Sequence, residues 1–136
     1  MQPLKDAIDL KLLDSTIFNT CGGRCAYQIG SPDYPRLVYS RVSGVPDNAF
    51  AKNGEEVLLQ FDLFSISSVG IQEILTMESQ LKTLLDDCTL TITGNVCVGF
   101  KRTNIISMSE EVDALPDGST SIEHTAIDYA VTYQTA

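Results

Sequence analysis

The chain has no tryptophan, a single histidine (His124), and only 9 lysines and arginines among its 136 residues. Against those cations stand 18 aspartates and glutamates, for a net charge of −9. Such a surface repels phosphate, and no run of basic residues overrides it, which excludes sequence-specific binding of DNA or RNA. Passage of DNA close to the surface without adhesion stays compatible with this charge. Long apolar runs are also missing: nothing approaches the roughly 20 residues needed to cross a bilayer. The start, Met1-Gln2-Pro3-Leu4-Lys5-Asp6, has neither the basic region nor the apolar core of a secretion signal, so no membrane partner is expected. The expected compartment is the cytoplasm, or a particle assembled there.

Catalytic motifs are equally scarce. There is no P-loop, G-x-G-x-x-G, G-x-S-x-G or H-E-x-x-H, and Gly22-Gly23 is not followed by a helical phosphate-binding pattern. His124 falls in the last strand-like run, on the face opposite Ile127, Tyr129 and Val131. Of its neighbours in sequence, Glu123 and Asp128, strand alternation turns Glu123 to the other face. A general-base histidine normally needs an orienting carboxylate, so His124 reads as a surface or interface residue. Cys21-Gly-Gly-Arg-Cys25 is the only closely spaced cysteine pair; Cys88 and Cys97 sit in apolar sequence. A C-x3-C spacing is not the redox C-x-x-C, and zinc would need two further ligands, so reduced thiols are expected. The acidic group Glu110, Glu111, Asp113 and Asp117 does not match a calcium loop and reads as a solvated loop. No catalytic, cofactor-binding or metal-binding residues are therefore assigned.

What is present is an ordinary apolar share, 43%, in a length suited to one domain over residues 1–136. Leu4, Ile8 and Leu12, widened by Ala7 and Leu13, predict a short helix over Pro3–Asp14. A punctuated stretch follows, with a short strand at Cys25–Ile29. The runs Arg36–Ser43 and Glu55–Ser65 predict two strands of an antiparallel hairpin, the second alternating Val57, Leu59, Phe61 and Leu63 with Leu58, Gln60, Asp62 and Phe64. Ser67-Ser68 is placed to cap a helix over Val69–Asp86, with a stripe of Ile71, Ile74, Leu75, Met77, Leu81, Leu84 and Leu85. Asp86-Asp87 at its end opposes the helix dipole. Strands then follow at Thr89–Thr93, Val96–Met108 and around Ala126–Tyr133, with a turn at Gly94-Asn95. The pattern is α+β: an antiparallel or mixed sheet with an N-terminal helix and one long helix packed on one face.

The remaining signal is surface. Leu58 and Phe64 lie on the nominally wet side of their strand, and Phe50 stands exposed among polar residues. Long loops at 44–54 and 107–120 are more than a monomer of this size needs. The candidate partner-binding residues are therefore Asp47, Asn48, Phe50, Lys52, Leu58, Phe64, Glu110, Glu111 and Asp113.

Four stretches carry a resemblance: Leu4-Lys-Asp-Ala-Ile8; Asp33-Tyr-Pro35 leading into Leu37-Val-Tyr-Ser-Arg-Val-Ser-Gly44; Leu59-Gln-Phe-Asp-Leu-Phe-Ser65 before the long helix; and His124-Thr-Ala-Ile-Asp-Tyr-Ala-Val-Thr-Tyr133. Together they resemble the tail-completion, or tail-terminator, proteins of long-tailed bacteriophages. The Cys21–Cys25 stretch departs from that pattern. The resemblance implies a non-enzymatic virion protein, assembled in the host cytoplasm, that forms a homohexameric ring. Such a ring caps the tail-tube protein, offers a surface to the head connector, and lets DNA pass its channel without specific binding. The alternatives are another neck component such as a head-completion protein, a tail-tube subunit, a small cytosolic thiol- or metal-binding protein, and a ligand-binding module with a pocket between helix and sheet.

Overall fold

The computed structural model describes residues 2–30, 32–47, 54–66, 71–111 and 121–135. Helix α1 (Gln2–Leu12) opens the chain. Leu4, Ala7, Ile8 and Leu12 are buried at one-turn spacing, and Pro3 sits in the first turn, where its missing N–H costs nothing. The helix stops before Leu13, which is exposed and lies outside the buried stripe. A second helix, α2 (Thr16–Thr20), occupies part of the stretch read as a loop. It is too short to show a period, but Ser15 caps it by accepting the Phe18 N–H at 3.3 Å. The glycines that follow, Gly22 and Gly23, take φ of +60° and +81°, turning the chain back into strand β1 (Cys25–Tyr27).

Strands β2 (Arg36–Asp47) and β3 (Gly54–Ile66) form the expected antiparallel hairpin, paired from Arg36↔Phe64 to Asp47↔Gly54. Both are longer than their apolar cores indicate. Helix α3 (Gln72–Leu85) is shorter than expected at its start; Ser67-Ser68 lies outside the described residues. It buries Ile74, Met77, Leu81 and Leu85, while Ile71 and Leu75 face outward, so its stripe is narrower than predicted. The run Thr89–Thr93 contracts to a two-residue strand, β4 (Thr91–Ile92), because a tight turn with Gly94 at φ +74° sends the chain straight into β5 (Asn95–Glu111). Strand β6 (Ser121–Thr135) closes the fold.

The result is α+β: a six-stranded mixed sheet in the order β1-β2-β3-β6-β5-β4, with β1 parallel to β2 and every other pair antiparallel. The core helix residues pack against one sheet face, on Leu37, Tyr39, Val57, Leu59, Phe61, Leu63, Phe100, Ile127, Tyr129 and Val131. Four aromatic rings run across that face. Tyr39 stacks on Phe61 at 5.3 Å, Phe61 meets Tyr129 edge-on at 5.6 Å, and Tyr129 meets Phe100 at 5.1 Å. Their hydroxyls tie helices to sheet: Tyr39 donates to the Asp9 carboxylate of α1, and Tyr129 donates to Asp86 at 2.6 Å. Burial and these bonds together push both phenols well above the ordinary tyrosine range. Asp86-Asp87 is also accounted for: Arg102 lies 3.5 Å from Asp86, and Lys101 pairs with Asp87. Two cations from β5 thus offset the acidic helix end.

Candidate functional site

Strand alternation aims the even-numbered side chains of β3 and β6 away from the helices. On this outer face Leu58 and Phe64 are half-buried, as are Gln60, Asp62, His124 and Asp128. Among the described residues no helix lies over them. The register stacks these groups across strands: Phe64↔His124↔Met108, Asp62↔Ala126↔Ile106, and Gln60↔Asp128↔Asn104.

His124 is the centre of this face. Its Nε2 lies 2.8 Å from Asp62 Oδ1, and its Nδ1 lies 2.9 Å from Glu110 Oε1. Its ring stacks on Phe64 with centroids 4.3 Å apart. A ring bearing a proton on each nitrogen donates to both carboxylates. The Arg36 guanidinium sits 4.6 Å from the Phe64 centroid and 4.6 Å from that of Tyr34, which extends the stack to Tyr34–Arg36–Phe64–His124. Gln60 donates to Asp62 Oδ1 at 2.9 Å. Asp128 completes the cluster, with Oδ1 buried and without a hydrogen bond. Desolvation, and then the nearby Asp62 charge, raise its carboxyl above the ordinary range. Beside the stack an open groove of about 350 Å³ is lined by Gln28, Gly30, Pro32, Arg36, Val38, Asp62 and Phe64.

This arrangement suits holding better than turnover. Both histidine nitrogens are occupied by carboxylates, leaving neither to take a proton from a nucleophile. The sequence placed His124 on the correct face but offered Glu123 and Asp128 as its neighbours. The true partners come from β3 and β5, 62 and 14 residues away in the chain. Glu123 instead accepts from Ser109 at 2.9 Å.

The described residues do not bring the predicted partner-binding residues into one site. Leu58, Phe64 and Glu110 share the outer face. Glu110 and Glu111 belong to β5, not to a loop: the ladder continues to Glu111↔Ser121, because antiparallel pairing with β6 outlasts the apolar pattern. β5 thus runs to Glu111, across the start of the expected 107–120 loop, and β2 runs to Asp47, across the start of the expected 44–54 connection. Asp47 ends β2 opposite Gly54, while Asn48, Phe50, Lys52 and Asp113 lie outside the described residues.

The thiols show a smaller constellation. Cys21 is buried at the end of α2, and contact with Cys25 together with desolvation pushes it up, while the same contact lowers Cys25. The space between long helix and sheet, where a ligand-binding module would have its pocket, is occupied by core side chains. A cavity of about 270 Å³ lies instead between α2 and α3, lined by Thr16, Ile17, Ser79, Gln80, Thr83 and Leu84.

No family model matches the chain, and no curated protein does. Solved structures do. One, described as the virion of a native gene transfer agent particle, matches with a TM-score of 0.67 and 12% identity, covering 96% of this chain and 94% of that one. A second matches with a TM-score of 0.59 and 14% identity, covering 99% of this chain and 94% of its own. At such identities the likeness is one of fold, and it spans nearly the whole of each chain.

Proposed function

We propose that this chain is a non-enzymatic virion assembly protein, a tail terminator whose copies close into a ring. The ring caps the tail tube and presents a surface to the head connector. The observation that carries this reading is the fold shared, almost end to end, with a chain of a gene transfer agent virion. The outer sheet face supports it: Leu58, Phe64, Ile106 and Met108 flank the Asp62–His124–Glu110 cluster on a surface that no described helix covers. Apolar groups around a small fixed polar centre are what a protein interface requires.

In a ring of six the net charge of −9 per copy is repeated, and part of it lines the channel. A negative wall lets DNA slide without sticking. The protein then resides in the virion, at the neck, after assembly in the host cytoplasm, and its partners are its own copies, the tube subunit and the connector.

Electron microscopy of the purified protein tests the reading. Rings one subunit thick are expected. Long stacks of rings would transfer the assignment to a tube subunit, and isolated small particles would remove the ring altogether.

A further inference from the structure

Among the described residues, each side of the sheet is covered along only part of its length. At one side β1 pairs with Leu37, Val38 and Tyr39 of β2, and the Gln28 N–H closes this cover on the Tyr39 carbonyl at 2.8 Å. Among the described residues nothing pairs with the outer edge of Ser40–Asp47, where a bulge between Arg41 and Ser43 and the proline at position 46 interrupt the run of groups free to take a partner strand. At the other side β4 pairs with Asn95 and Val96, and the Asp87 N–H reaches the Phe100 carbonyl at 3.2 Å. A bulge between Arg102 and Asn104 ends this covered part. From Asn104 to Glu111 the strand is regular, and among the described residues it is paired on the β6 side alone.

An uncovered edge displays a row of N–H and C=O groups to any passing strand, and proteins blunt such edges with proline, lysine or bulges. The stretch Asn104-Ile-Ile-Ser-Met-Ser109 has no proline and no charge, and Ile106 and Met108 are 50% and 38% exposed beside it. It is built as a template for strand addition.

We infer that the Asn104–Glu111 edge of one copy pairs with the Ser40–Asp47 edge of the next, an inference that rests on the self-assembly proposed above. The topology supplies the geometry. β2, β3, β6 and β5 are antiparallel in succession, so β2 and β5 run in opposite directions at opposite sides of one sheet. Two copies set side by side in the same orientation therefore meet as antiparallel strands. The contact joins two different patches, which is the head-to-tail arrangement that closes into rings. The free half of β2 lies at the Gly54 end of β3 and that of β5 extends to the Ile66 end, so successive sheets are staggered, as tilted strands in a closed barrel are. The antiparallel overlap also brings Arg41 to the Glu111 end of its neighbour.

Alternate residues of an edge strand aim their N–H outward, so Ile106→Pro and Ser107→Pro are made separately. One of them removes an outward donor and leaves the β6 ladder intact. That variant is expected to keep its far-ultraviolet dichroism and to fall from the ring mass to the 14.8 kDa monomer. A variant carrying both Arg41→Cys and Glu111→Cys is expected to give a ladder of cross-linked species on oxidation, while neither single substitution does. Folded proline variants that remain rings, or a double variant without a ladder, would overturn the edge pairing and leave the ring reading standing. Dimers from Glu111→Cys alone would replace it with β5–β5 pairing. A wild-type protein that is monomeric at every concentration would remove both the ring and this inference.

Discussion

The imidazole of His124 on β6 lies 2.8 Å from the carboxylate of Asp62 on β3, two residues that the chain separates by 62 positions. Neither is at the surface in the ordinary sense, with side-chain exposures of 13% and 18%. The pair joins the two central strands on the face opposite the helices. Charge-assisted bonds between partly buried groups contribute about 1.5–3 kcal/mol, and more is lost when one partner is left alone. Asp62→Asn and His124→Ala should therefore each destabilise the fold by about 1–3 kcal/mol in urea unfolding, with a double variant showing coupling of about 1 kcal/mol. Additive losses would mean that the contact contributes nothing of its own.

Asp128 sits in the same cluster with the opposite sign of effect. Its folded carboxyl is raised above the ordinary value of 3.8, first by desolvation and then by Asp62. A raised carboxyl favours the fold most below the unfolded value, and that contribution is lost as pH rises through the folded value. At neutral pH the Asp128 charge is thus a burden, and Asp128→Asn should raise the urea midpoint at pH 7. The gain should vanish when the same comparison is made below pH 3.8. A substitution that destabilises at pH 7 but not below pH 3.8 would show that the carboxylate has an attractive partner.

The chain has five tyrosines, and three of them, Tyr39, Tyr129 and Tyr133, are held above the ordinary range by burial and by bonds to Asp9, Asp86 and Glu55. Tyr133 is pushed up to about 12. Their contribution to stability is whole below pH 10, the ordinary phenol value, and is lost as pH rises through the folded values. Spectrophotometric titration should show the phenols of Tyr39, Tyr129 and Tyr133 ionising above pH 10, together with unfolding. Ionisation of these three near pH 10 in the folded protein would contradict the packing.

Phe61 is fully buried between the rings of Tyr39 and Tyr129. Phe61→Ala should cost about 3–5 kcal/mol of stability. Leu58→Ala, one strand position from Leu59 but on the outer face, should cost much less in a dilute, unassembled sample. Equal losses at the two positions would mean that the outer face is packed as tightly as the core.

Alternation along β3 and β6 and the one-turn spacing in α1 and α3 were legible in the sequence, because burial on one face writes its period directly into the residue order. Boundaries were less so. β5 continues through Ser109-Glu110-Glu111, where pairing with β6 holds a polar segment that its composition assigns to a loop. The capping of α2 by Ser15 involves too few residues to form a pattern. Within the candidate site, Leu58 and Phe64 stood out as apolar residues on the wrong side of a strand. Asp62 did not, and Glu110 stood out only as part of an acidic loop, because nothing local marks a carboxylate whose partner arrives from another strand. The same holds for Asp86-Asp87, whose cations, Lys101 and Arg102, become visible only once β5 lies beside the helix end.

The solution mass of the wild-type protein, measured by light scattering over a wide range of concentrations, tests the central claim most directly. A closed ring predicts a plateau at about six times 14.8 kDa that does not grow as concentration rises. A constant mass of 14.8 kDa, or a mass that climbs without limit, would contradict a chain built to close on copies of itself.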